Sequence, residues 1–305
     1  MNKIGFQRMK LLSTPEERFE NLPDFTFDPH FIKVDGINIH YLDEGDKQAD
    51  VILLMHGEPS WSFLYRHMIP ILEKAGFRIL VPDLVGFGRS EKPTEQNDHT
   101  YLKHVEWMTK WLLLLDLRSI TLFCQDWGSL IGLRLAIENQ DRFNRIVLSN
   151  GGLPTGEQRM SDAFSNWREF SRTATKFYVG RIIQGATTTK LPRNVIKAYE
   201  APFPDDDFKA GARIMPSLVP ISKNDPEHLT NKKAIEQFGK WEKPFLTAFS
   251  DGDPITRGGD KFWQENVPGA QGQKHTTIRN AGHFVQEDKG PELAEVIIEF
   301  IKNNP

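Results

Sequence analysis

Short apolar runs recurring at helix-length intervals constrain this chain more than any other feature. Residues 51–55 (VILLM), 78–82 (RILVP), 120–124 (ITLFC) and 146–149 (IVLS) are each followed by a stretch long enough for a helix. Runs that are apolar throughout, without alternation, suit parallel strands covered on both faces. Residues 31–34 and 37–42 do alternate, around Asp35-Gly36, and predict a two-residue hairpin where the sheet begins. From about 153 to 230 the rhythm stops. Amphipathic segments and proline turns (201–204, APFP; Met215-Pro216) take its place, until strands return at 245–250 (FLTAFS) and 275–279 (HTTIR). A last helix over 291–301 starts on Pro291. These signals predict an α/β fold: a doubly wound, mostly parallel sheet built from 1–152 and 231–305, with 153–230 inserted as a helical cap.

Composition excludes several roles for such a fold. The 38 basic and 41 acidic residues are interspersed and leave a net charge of -3, so no positive face is expected for nucleic acid or anionic lipid. The opening MNKIGFQRMKLL lacks the apolar core of a signal peptide. The longest apolar stretch, 111–117 (WLLLLDL), is too short to span a bilayer. With a lone cysteine, Cys124, no intrachain disulfide can form, and a cytoplasmic location is expected. His99 and His104 stand five apart without the further ligands of a metal site. The glycines of 83–90 (DLVGFGRS) match no phosphate-binding spacing. Neither metal nor cofactor is expected, and a monomer is the favoured assembly.

The chemistry concentrates at strand ends. Strand 120–124 runs into Gln125-Asp126-Trp127-Gly128 and then a helical pattern. This strand, turn and helix match the nucleophile elbow of α/β-hydrolases, which raises one side chain at the carboxyl edge of the sheet. Asp126 stands at the apex, although an aspartate before a helix also serves as an ordinary cap. Two places earlier stands Cys124, where a glycine is usual. An acid and a histidine should follow in that order. Asp253 follows strand 245–250, and His283, one of nine histidines, follows the next strand; Asp251 reads as a turn residue. After strand 51–55 the loop HGEPSW carries the expected oxyanion-hole donor, the backbone N–H of Glu58, to be joined by that of Trp127. Pro59 has no N–H to give. His56 reads as a residue that shapes this loop.

A carboxylate nucleophile changes the reaction. An aspartate is already ionised at neutral pH, so it can attack an electrophilic carbon unaided and form an ester. The histidine is then free to deprotonate water for hydrolysis of that ester, with Asp253 orienting it. Two leaving groups fit, a halide or an epoxide oxygen. An epoxide needs an acid, for which Tyr178 or Tyr199 are candidates; a halide needs neutral N–H donors in an apolar pocket, which indole supplies.

The segments 56–70 (HGEPSWSFLYRHMIP), 125–128 (QDWG), 198–213 (AYEAPFPDDDFKAGAR) and 282–287 (GHFVQE) resemble the haloalkane dehalogenases, especially the subfamily of the 1,2-dichloroethane-converting enzyme. The similarity runs from 21–27 (NLPDFTF) to the last helix. It implies Asp126 as nucleophile, His283 as base and Asp253 as its acid partner. Trp127 and Trp167 would hold the halide, and Phe164 would line the pocket. By this resemblance a halogenated alkane and water enter, and a primary alcohol, halide and a proton leave. Trp127 discriminates poorly, because epoxide hydrolases often carry tryptophan there; Trp167 is the more informative residue.

Overall fold

The computed structural model describes residues 9–305; the reading of the first eight as part of an opening without a signal core lies outside them. In chain order the strands are β1 (Leu11–Leu12), β2 (His30–Val34), β3 (Ile37–Glu44), β4 (Val51–Met55), β5 (Arg78–Pro82), β6 (Lys92–Pro93), β7 (Ile120–Cys124), β8 (Phe143–Leu148), β9 (Phe245–Ser250) and β10 (Thr276–Ile278). β1 and β6 form a small antiparallel ribbon. The other eight form one sheet in the order β10-β9-β8-β7-β4-β5-β3-β2. All neighbours from β10 to β5 are parallel, and the hairpin β2–β3 is antiparallel. Asp35 (φ 48°) and Gly36 (φ 86°) supply the two left-handed residues that such a hairpin turn requires.

The central strands β4 and β7 are buried at every position. Both faces are therefore covered, as their unbroken apolar runs require. Winding proceeds from β4 to β5 on one side and then to β7 on the other. The loops after β4 and β7 consequently diverge, leaving a crevice at the carboxyl edge where open α/β sheets bind ligands.

The helices are α1 (Ile69–Lys74), α2 (Tyr101–Leu114), α3 (Trp127–Glu138), α4 (Asp162–Thr173), α5 (Val179–Gly185), α6 (Arg193–Glu200), α7 (Ala210–Leu218), α8 (His228–Phe238), α9 (Asp260–Asn266) and α10 (Val285–Asn303). Helices α4 to α8 all lie between β8 and β9, and α8 packs on α3.

Several boundaries differ from the sequence reading, three of them for a physical reason. Pro216 sits inside α7, two residues before its end, and not in a turn. β8 starts at Phe143, earlier than its apolar run, because Arg145 is buried and donates to the carbonyl of Asn304 and to Thr121. α10 starts at Val285, breaks at Lys289 (φ -142°, ψ 33°) and resumes through Pro291, so an extra turn precedes the helix expected from proline.

Candidate active site

Asp126 lies between β7 and α3 with φ 50° and ψ -130°, a conformation that L-residues adopt at a cost of about 1–3 kcal/mol. Its surroundings maintain it. A Cβ at Gly128 would lie 2.1 Å from the Met55 carbonyl oxygen, so only glycine lets α3 start this close to β4. The Asp126 carboxylate makes no capping bond to α3. Instead Oδ1 accepts from the Glu58 N–H at 2.7 Å, and Oδ2 faces His283 Nε2 at 3.3 Å. The alternative of an ordinary helix cap is thereby removed. Trp127 N–H, the other expected donor, makes no hydrogen bond to this carboxylate among the described residues.

His283 follows β10 on the loop into α10, and its Nδ1 lies 3.0 Å from Asp253 Oδ2. Asp253 is fully buried after β9 and also accepts from Ile255 N–H at 2.9 Å and from the Thr256 hydroxyl. Burial alone would push the Asp253 carboxyl up, but the facing imidazole charge and these hydrogen bonds bring it down to about 2. Burial likewise pushes His283 down, and it is overcome by the Asp253 charge and by hydrogen bonding to Asp126, which bring it up to about 10. Asp251 is a turn residue: its N–H donates to the Ile278 carbonyl and its carboxylate faces Arg279 at 3.7 Å.

The loop after β4 is rigidly held. Leu84 N–H donates to His56 Nε2 at 2.9 Å, so Nδ1 carries the proton and donates to the Gly57 carbonyl at 2.9 Å. Asp83 accepts from Ser62 N–H at 2.7 Å, from Arg89 N–H at 2.8 Å and from His40 Nδ1 at 2.7 Å. The glycine-bearing loop 83–90 thus positions the oxyanion loop. His99 and His104 pair with each other at 3.1 Å, and no group of three metal-ligating side chains occurs among the described residues.

A cavity of about 1120 Å³ opens onto Asp126 and His283, with Trp127, Phe164 and Trp167 in its wall. Trp127 is held edge-on by Tyr101, centroids 5.1 Å apart, whose hydroxyl donates to the Leu130 carbonyl. Trp167, on α4, stacks with Phe170 at 5.8 Å and lies tilted against Phe177 at 5.9 Å.

A family model described as alpha/beta hydrolase fold matches residues 50–290. A haloalkane dehalogenase of Psychrobacter cryohalolentis is 53% identical, covering 97% of this chain and all of that protein. The chain belongs to the haloalkane dehalogenases. A second member, from Mycobacterium marinum, is 48% identical over 96% of the chain and 100% of its own length. A haloalkane dehalogenase of Paraglaciecola agarilytica, solved as a tetramer, superposes with a TM-score of 0.88 at 34% identity, covering 94% of this chain and 97% of that one.

In this dehalogenase several residues that sequence reasoning passed over join the site. Asn150, just after β8, accepts from Asp126 N–H through its carbonyl, while its side chain donates to the carbonyls of Gly282 and His283, both at 2.9 Å. Its place at a strand end beside Gly151-Gly152 was the available signal. Ala186, between α5 and α6, accepts the His283 N–H at 2.8 Å. No sequence pattern marks a backbone acceptor. The Glu58 side chain is buried against the site, and burial and the Asp126 charge push its carboxyl well up while the Trp167 indole opposes them by hydrogen bonding.

Proposed function

We propose that this haloalkane dehalogenase divides its hydrolysis between Asp126 and His283. With Oδ1 engaged by Glu58 N–H, Oδ2, which faces His283 Nε2 at 3.3 Å, is the oxygen that attacks the halogen-bearing carbon. A C–O bond forms, the carbon–halogen bond breaks, and the halide leaves with the electron pair toward the indole N–H groups of Trp127 and Trp167. His283 then takes a proton from water, and the hydroxide attacks the Asp126 ester carbonyl. Glu58 N–H, joined by Trp127 N–H, stabilises the oxyanion as alcohol, halide and a proton are released. The observation that carries this reading is the Asp126 carboxylate turned away from its helix, between Glu58 N–H and His283.

The epoxide alternative is disfavoured by its own acids. Tyr199 is buried outside the cavity wall and donates to Glu287, which Arg66 holds in a buried bidentate pair at 2.6 and 2.7 Å. Tyr178 lines the cavity alone and is 44% exposed. We assign 153–230 as the cap that walls the cavity and the described residues up to 152, with 231–305, as the core; the expected place of residues 1–8 in that core lies outside the described residues. The free, buried Cys124 supports a cytoplasmic location, which cell fractionation tests. No helix among the described residues is long and apolar enough to cross a membrane. The proposed monomer predicts a light-scattering mass near 35.0 kDa, and a fourfold value, matching the tetrameric relative, overturns it.

Substituting His283→Gln tests the division. With 1-bromobutane this variant should release about one halide per site and gain the mass of the alkyl group on Asp126, then stop. Asp126→Ala should show neither. A folded His283→Gln protein with no burst and no adduct overturns the assignment.

A further inference from the structure

A buried chain of amides reaches His283 from behind the nucleophile. Tyr65 OH donates to the Met55 carbonyl at 2.8 Å, which can only accept. Its oxygen therefore accepts from Gln286 Nε2 at 3.4 Å. Gln286 Nε2 also lies 3.4 Å from Gln125 Oε1. At the other end, Gln125 Nε2 donates to the His283 carbonyl at 3.2 Å, again an obligate acceptor. Both ends set the same orientation, so an amide N–H of Gln125 faces His283 Nε2 at 3.1 Å. Tyr65, Gln125 and Gln286 are all fully buried.

From this geometry we propose that Gln125 is a positioning residue for the second half-reaction, holding His283 neutral with its Nε2 lone pair available to accept the proton of water. An imidazolium would set N–H against N–H at that contact. The charged and titratable groups facing His283 are Asp253 from the loop after β9, Asp126 from the elbow and Glu58 from the loop after β4. From α10 it meets the uncharged Gln286 network, and from the cap the Ala186 carbonyl. While Asp126 is a carboxylate it favours a proton on Nε2. Alkylation turns Asp126 into a neutral ester and removes that pull, whereas the Gln125 N–H remains. His283 then releases its proton to solvent, takes one from the attacking water and keeps it in the regenerated enzyme, which balances the single proton formed per turnover.

This inference rests on His283 acting as the base. Gln125→Met and Gln125→Leu remove the donor while keeping an unbranched or compact apolar side chain. Rapid-quench halide measurement should show a burst of about one per site, within threefold of the wild-type rate, because the first step needs no base. Decay of the alkyl-enzyme, followed by mass spectrometry across pH, should have its acid limb shifted upward by about 0.5–1 unit, the worth of one hydrogen bond. Decay below that limb should slow about three- to tenfold. The burst counts competent sites, so partial misfolding does not obscure the midpoint. An unmoved midpoint, or equal loss in both steps, overturns the role of Gln125 and leaves the two-step mechanism intact. Failure of His283→Gln to accumulate an adduct overturns the mechanism itself.

Discussion

Replacing Gly57 with alanine tests how tightly the nucleophile is seated. A Cβ there would stand 2.2 Å from Asp126 Oδ1 and 2.4 Å from the Asp126 Cβ. Non-bonded carbon contacts settle at about 3.5–4.0 Å, so one partner must retreat by about 1 Å or more. The oxyanion loop is the stiffer partner. The Gly57 carbonyl accepts from Ser60 N–H at 3.0 Å, Ser60 Oγ at 2.8 Å and His56 Nδ1 at 2.9 Å. Asp126 is held on that side by the single Glu58 N–H, so the carboxylate moves. A displacement of about 1 Å from attack geometry costs about 10²-fold in rate, or about 2.7 kcal/mol. Single-turnover halide release from 1-bromobutane should slow by about that factor. Halide affinity should stay within a few-fold, because the indoles are untouched. A folded Gly57→Ala enzyme with a burst rate within threefold of wild type would refute the seating argument.

Trp167→Phe keeps the ring packing on Phe170 and Phe177 but deletes one N–H donor, and should lower turnover by about 10²- to 10³-fold, as loss of a donor to developing charge does. Unchanged turnover and bromide affinity would remove Trp167 from the halide site. The Asp253–His283 pair also predicts a stability window. Asp253 is depressed to about 2, so its contribution is present above the ordinary aspartate value of about 3.9 and lost as pH falls through 2. His283 is raised to about 10, so its contribution is full below about 6.5 and lost as pH rises through 10. Urea unfolding of the wild type should therefore be strengthened most between about pH 4 and 6.5 relative to Asp253→Asn, with the difference shrinking on both sides. Parallel curves for the two proteins across pH would show that the pair does not titrate with folding.

The strands 51–55, 78–82, 120–124 and 245–250 were legible in the sequence to the residue, because an apolar run bounded by turn residues is a local property. The order of Asp126, Asp253 and His283 was legible for the same reason, each lying just past a strand end. Polar interruptions hid the start of β8, and a proline compatible with the last turn of a helix concealed the end of α7. Whether Asp126 capped α3 or faced a histidine 157 residues away was undecided until the sheet closed and brought those strand ends together. The same closure turns Asp253 inward to His283 and leaves Asp251 against Arg279. It also aimed the Gln125 amide, the Asn150 side chain and the Ala186 carbonyl at the histidine loop. Periodicity records which face of an element is buried; which buried polar atom meets which depends on contacts between distant segments, and only the assembled tertiary structure supplies them.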